Sequence, residues 1–360
     1  MIRQKRADFS VLFLLAAAVF LMLYALCLPR QAAETVREAL SLFAGRVLPS
    51  IALFSVCASI LMRAGLAEMI AGSKLPLRAA APVAVLIGSV AGFPTGASVL
   101  SFFCETGMVS KREAETLLPF CNQAGASFVV GTVGASLFGD ARMGLSLFLA
   151  QVAAAFAGLV LTFDLFGRTA VSSRPEKRES VSPARVLTAS VSEGAHAMLS
   201  VCGFIVFFAL CISAVQDVLA AVGISLGAWG RLLLSAVLEI SSGFVALSKM
   251  PLSETASLWI GGILLGFGGV SVFLQALDRT EHLFFSVRRY FSGKLLTVFL
   301  CPSFAFLFDT VRRRTKGAFG MIFAFFAVFF ALLIIGYLKN KVFFKKVWKN
   351  RKECCIINMR

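Results

Sequence analysis

The chain has 360 residues, 58% of them hydrophobic and 12% aromatic, with a mean hydropathy of +0.86. Only 15% are charged, against roughly 25% in soluble domains, which excludes a soluble globule and predicts an all-α polytopic membrane protein. The net charge of +16 comes from 35 Lys and Arg against 19 Asp and Glu. These basic residues sit at the ends of apolar segments and in tails, so they argue for positive charge kept on the cytoplasmic side and against nucleic acid as a partner.

In chain order, Arg3, Lys5 and Arg6 precede an apolar run over 9–28. The run predicts a first transmembrane helix with a cytoplasmic N-terminus, because Leu26-Cys27-Leu28-Pro29 lacks the small-residue cleavage site of a signal peptide. Residues 31–45, with Glu34, Arg37 and Glu38 among apolar positions, predict an amphipathic interfacial helix. Apolar blocks follow at 46–66, 79–103, 117–139, 143–166, 196–224, 231–248, 256–277, 283–308 and 317–338. With re-entrant pieces included, this amounts to about 8–10 membrane segments. The 46–66 block opens on Leu48-Pro49-Ser50 and reads as a candidate re-entrant hairpin. The 283–308 block carries Arg288, Arg289 and Lys294 and reads as one that only dips into the membrane.

Residues 167–194 form a polar linker, with Arg168, Arg174, Lys177, Arg178 and Arg185 against Glu176, Glu179 and Glu193. Its Ser and Pro content predicts a flexible cytoplasmic loop. The basic tail from Lys339 to Arg360 is expected on the same side, near anionic lipid. Arg312-Arg313-Arg314 and the tail flank one span, 317–338, so both cannot be cytoplasmic, and the side of the triplet stays open. The organisation is therefore an N-terminal transmembrane helix (1–30), a first membrane repeat (31–166), the loop (167–194), a second repeat (195–308), and a C-terminal helix with its tail (309–360).

Two polar, glycine-rich islands interrupt the first repeat: Gly92-Phe93-Pro94-Thr95-Gly96-Ala97 and Phe120-Cys121-Asn122-Gln123-Ala124-Gly125-Ala126. Lipid tolerates such backbone only where protein or a water-filled cavity surrounds it. Pro94 lacks an N–H, and Gly92 and Gly96 accept unusual dihedrals. This island therefore stops one helix and starts another, exposing Phe93, Thr95, Gly96, Ser98 and free amides that suit a carboxylate or phosphate. The alternative is a packed proline kink. Asn122 and Gln123, beside Gly125 and Ser127, are either cavity-lining amides or interhelical glue.

The second half repeats the plan at Glu239-Ile240-Ser241-Ser242-Gly243 and at Gly266-Phe267-Gly268-Gly269-Val270-Ser271, then Gln275. Matching interruptions in two halves are what inverted repeats with broken helices and re-entrant hairpins show. Glu239 stands alone between Arg231 and Lys249, and an intramembrane acid is costly enough to mark function. It would bind a coupling cation, hold a proton, or stabilise the break through Ser241 and Ser242. Ser271 and Gln275 complete the candidate substrate-binding set. The glycines at 261, 262, 266, 268 and 269 fit simple helix packing as well.

Enzyme chemistry finds little support. His196 and His282 have no companions at metal spacing, and no nucleophile elbow or P-loop occurs. Single cysteines in apolar runs read as packing residues, and no cofactor is expected beyond a coupling ion, H+ or Na+.

These motifs resemble those of the YlbJ-type sporulation integral membrane proteins, in the nucleoside-recognition or "Gate" domain group. The likeness runs through Leu48-Pro49-Ser50, Gly92 to Ala97, Gly107 to Glu115, Leu118 to Gly125, Gly131 to Gly134, Gly203-Phe204, Leu238 to Gly243, and Phe267 to Ser271 with Gln275. Phe93 and Ala126 depart from it, where Tyr and Pro are the rule. The resemblance implies a fold like the concentrative nucleoside transporters. It also implies a role in endospore formation, moving dipicolinic acid from the mother cell across the outer forespore membrane. Dipicolinate, a flat aromatic dianion, suits amides for its carboxylates and Phe93, Phe120 or Phe128 for its ring. A carrier of nucleosides or other small anions, a non-transporting scaffold for the spore envelope, and a homo-oligomer all remain compatible with the residues.

Overall fold

The computed structural model describes residues 2–72, 78–165, 182–280, 283, 286–315 and 318–357, without the side chains of 2–10, 13 and 340–357. Most of the linker expected at 167–194, His282 and the side chains of the tail, with Cys354 and Cys355, lie outside the described residues. All regular structure among the described residues is helical. Helix α1 is Ile2–Cys27 and α2 is Pro29–Arg63. Short α3 is Leu66–Ala71, followed by α4 Ala80–Ala91, α5 Thr95–Glu105, α6 Lys111–Cys121 and the π-wound α7 Phe128–Leu137. Then come α8 Ala141–Thr162, α9 Pro183–Ala221, α10 Ala228–Leu238, α11 Ile240–Ser248, α12 Glu254–Phe267 and α13 Gly269–Arg279. The last two are α14 Val287–Thr315 and α15 Ala318–Ile357. Six stretches are long and apolar enough to cross a membrane: α2, α8, α9, α12 with α13, α14, and 318–339 of α15.

Three expectations are corrected. Residues 31–45 and 46–66 are neither an interfacial helix nor a hairpin but one 35-residue helix, α2. The π turn Phe43–Val47 makes this continuity possible. Pro49 has no N–H and its ring crowds the carbonyl one turn earlier, and a wider turn there relieves both. The 283–308 block does not dip, because α14 runs unbroken for 29 residues through Lys294. Finally, Arg185 and Glu193 belong to α9, which starts at Pro183, not to the loop.

Helices α4 and α5 have 12 and 11 residues, about 17 Å each at 1.5 Å per residue, against a hydrocarbon core of about 30 Å. They fold back on each other, since a Cβ on Gly88 would lie 3.0 Å from the Cα of Gly96. Helices α10 and α11 do likewise, since a Cβ on Gly243 would lie 2.8 Å from the Cα of Ala236. Both pairs are re-entrant hairpins. Helices α6 and α7, and α12 and α13, are single spans broken in the middle. Each repeat is thus a long helix, a hairpin, a broken helix and a long helix, and like packs on like: α2 on α9 and α8 on α14.

Polar contacts sort the helix ends into two faces. One face, reached by the ends flanking the linker, holds Arg63–Glu193 at 3.0 Å, Arg78–Glu113 at 2.6 Å, the Arg289–Glu115 pair, and Lys339 Nζ donating to Leu161 O at 2.8 Å. The other holds the Tyr24 hydroxyl on Asp217 at 2.7 Å and Arg312 on Asp140 at 2.6 Å and on Glu254. Only three crossings per repeat satisfy both sets, and an odd number inverts the second repeat. Arg312 to Arg314 therefore lie on the face opposite the tail. Their charge is balanced by Asp309, Glu254 and Asp140, so the triplet does not conflict with a positive side elsewhere.

Candidate functional site

The four breaks meet in the middle of the fold. Gly92 has φ +85°, and a Cβ there would sit 2.7 Å from the N of Gly125, so the first hairpin tip lies directly on the first broken helix. A Cβ on either Gly88 or Gly96 would fall 1.9 Å from the Cys121 carbonyl oxygen. In the second repeat, Gly268 and Gly269 have φ +85° and +87°, and Gly269 lies against the backbone of Ala236, Leu238 and Ile240. The repeats are tied together where Asn122 Nδ2 donates to Val272 O at 3.2 Å.

At this junction lies a cavity of about 10 Å³, lined by Phe93, Gly125, Phe128, Glu239, Ser241 and Gln275 and closed by Val47 and Ile51 of α2 and Val201 and Ile205 of α9. That is room for one water at most, so the site is shut around its centre. Beside it, sharing the wall residue Ile205, is a vestibule of about 960 Å³. Four basic side chains, Arg37, Arg46, Arg231 and Lys249, line it against the single carboxylate of Glu38. The lining comes from the first half of α2, the last half of α9 and the ends of the second hairpin, so the vestibule opens on the face opposite the linker. The polar face of residues 31–45 is thereby explained: it borders this vestibule.

The expected site residues divide. Phe93, Glu239, Ser241 and Gln275 line the central cavity, and Ser242 lines the vestibule. Glu239 makes the contact considered for stabilising the break. Its carboxylate accepts from the N–H of Ser241 at 3.0 Å and of Ser242 at 2.6 Å, capping α11. Gln275 Nε2 donates to Ser271 Oγ at 3.0 Å, while its buried Oε1 has no partner. The rest do not reach the cavity. Thr95 bonds Ser55 at 2.8 Å, and Gly96 is consumed by the Cys121 contact. Ser98 and Ser127 are half-buried outside both cavities. Gln123 Nε2 turns back to the carbonyls of Pro119 and Phe120 at 3.0 and 3.2 Å. Asn122 bridges the repeats through Nδ2, so in this arrangement the donors of both amides are taken up by protein carbonyls. Of the three aromatic candidates, Phe93 and Phe128 face the cavity, whereas the Phe120 ring packs on Gly158. Gly262 and Gly266 pack α12 on Pro302 and Thr297 of α14, the packing reading.

Two residues escaped sequence reasoning. Gln151 in α8 clamps the Ala124 peptide, donating to its carbonyl at 2.7 Å and accepting from its N–H at 3.3 Å. A lone amide in the run Leu149-Ala150-Gln151-Val152 was the available signal. Lys294, 1% exposed, donates to Asn122 O at 2.9 Å. Its neighbours Arg288 and Arg289 made it look like a membrane boundary.

Along 333 residues, 80% of this chain and 81% of the other, the sequence is 25% identical to the sporulation integral membrane protein YlbJ of Bacillus subtilis (strain 168). No family model and no solved structure matches it.

Proposed function

We propose that this chain, a YlbJ-type integral membrane protein by its similarity over 80% of its length, is a carrier of a small organic anion that serves endospore formation, and that the anion is dipicolinate. The observation that carries the reading is the basic vestibule ending on a closed chamber of two phenylalanines and the half-paired amide of Gln275, where two hairpin tips meet two broken helices. Positive side chains raise the local concentration of an anion. The half-helices α5, α7, α11 and α13 all start at the breaks, so their positive ends point inward. Glu239 already satisfies α11, and the α5 amides of Gly96, Ala97 and Ser98 close on the Gly92 and Pro94 carbonyls, which leaves the starts of α7 and α13 for a ligand, with Gln275 joining them as a donor once its Nε2 turns from Ser271. Phe93 and Phe128 offer faces and edges to a flat ring.

A shut 10 Å³ centre beside an open vestibule is one state of an alternating-access cycle, in which one repeat rocks against the other. With the basic linker and tail on the cytoplasmic side, the vestibule faces away from the cytoplasm, the release side for an exporter in the outer forespore membrane. The test is dipicolinate content in spores of a strain lacking the gene and complemented with variants. Wild type should restore it, while Gln275→Leu and Phe93→Ala, expressed at equal membrane levels, should leave it down about tenfold or more, the effect of about 1.4 kcal/mol at the site. Full dipicolinate with both variants would overturn the reading. Uptake of labelled uridine but not dipicolinate by proteoliposomes would replace the substrate.

A further inference from the structure

Lys294 is the one buried lysine among the described residues, and no carboxylate described in the structure pairs with it. The titratable groups around it are the thiols of Cys121 and Cys301 and the phenol of Tyr290, none of them a carboxylate. An ammonium withdrawn from water without a partner is costly, so something else must hold it. The surrounding backbone does. Asn122, whose carbonyl accepts from Nζ at 2.9 Å, is the C-cap of α6. Gly268, whose Cβ position lies 3.8 Å from Nζ, is the C-cap of α12. The first half of each broken helix therefore ends at the same ammonium. These are equivalent elements of the two repeats, brought together by the pseudo-two-fold arrangement. The negative end of α6 accepts from the ammonium directly, whereas at Gly268 the negative end of α12 meets the positive start of α13 and the two partly offset each other. The Tyr290 ring centroid, 5.8 Å from Nζ, adds a weakly attractive face.

Carbonyl ends of broken helices are where secondary transporters hold a mobile coupling cation. We infer that in this protein the Lys294 ammonium is a tethered cation occupying that position, so that the chain binds no sodium ion there and its broken helices are held together without one. The inference rests on the carrier reading only for its consequence, sodium-independent transport. Its test uses no transported solute, so the two fail separately.

The experiment is thermal unfolding of the detergent-purified full chain in NaCl against choline chloride at equal ionic strength. The wild-type Tm should be the same in both salts. Lys294→Ala, which empties the ammonium position, should have a lower Tm that rises by about 2 °C or more in NaCl or methylammonium chloride, as expected for a ligand held only by the folded state. A sodium-specific rise in the wild type overturns the inference, as does an alanine variant that folds and ignores both cations. Should the alanine variant not fold, Lys294→Gln decides. A wild-type Tm without the charge overturns the inference. A loss of the folded protein, or of about 5 °C, restored by Lys294→Arg, upholds it.

Discussion

The two hairpin tips do the same job with different chemistry. The first, Gly92 to Pro94, is held mainly by close backbone approach, Gly92 on Gly125 and Gly88 and Gly96 on the Cys121 carbonyl, with the Thr95–Ser55 hydroxyl bond beside it. The second, besides its own backbone contact on Gly269, carries a side-chain cap, the Glu239 carboxyl accepting from two N–H groups of α11. Close approach leaves no space and no tolerance for a side chain, whereas a carboxylate cap leaves a group that solvent or ligand can compete for. The second tip is also the one beside the basic vestibule, through Ser242, Arg231 and Lys249.

The largest effect should come from breaking the first tip. Gly92→Ala combines a left-handed φ with a collision on Gly125 and should cost roughly 2–5 kcal/mol, seen as loss of folded protein in size-exclusion profiles or a strongly lowered Tm. Gly243→Ala, the matching change in the second hairpin, meets Ala236 at Cα, Cβ and N, 2.8 to 3.3 Å away, but at an ordinary helical φ, and should cost less, about 1–3 kcal/mol. If the two prove equal, the asymmetry between the tips is wrong.

Next is the cap. Glu239→Ala leaves two buried N–H groups unpaired and should cost about 2 kcal/mol, while Glu239→Gln keeps one acceptor and should cost about half that. Denaturant unfolding of both variants checks the ordering. Gln151→Leu removes both bonds to the Ala124 peptide and should cost about 1–3 kcal/mol. Faster amide exchange confined to 122–126 would show that it loosens the first broken helix and not the hairpins.

The smallest effect concerns the face opposite the linker. Burial pushes the Asp140 carboxyl up, but the Arg142 N–H and the Arg312 guanidinium outweigh it and hold the group below its usual range. A depressed folded value means stability that is present above the unfolded carboxylate range, about pH 4, and lost as pH falls through the lowered value. Asp140→Asn should cost under about 1 kcal/mol at pH 7 and should flatten the acid limb of the Tm against pH curve.

Much of this was legible in the residues. Continuous apolar runs specify spans because lipid offers the backbone no partner but its own helix. Gly-Phe-Pro-Thr-Gly marked the first tip, and a lone Glu239 in an apolar run marked the second. What misled was local composition read without neighbours. Arg288, Arg289 and Lys294 looked like a membrane edge, yet Lys294 is satisfied by helix ends 172 residues back along the chain and in α12. Arg37 and Glu38 looked interfacial, yet they border a vestibule that needs α9 and the second hairpin to exist. Asn122 and Gln123 looked like ligand-binding amides because sequence shows a polar side chain but not which way it turns.

By itself, then, the sequence determined the class, the breaks and the twofold plan, since these follow from hydropathy, proline and glycine acting within a few residues. Only the tertiary structure decided which polar groups face space and which face each other. It alone brought the Arg312 triplet to its three carboxylates and Lys294 to the meeting of two helix ends. Such pairings join residues far apart in the chain, and burial makes an unpaired charge too costly for any other arrangement to compete.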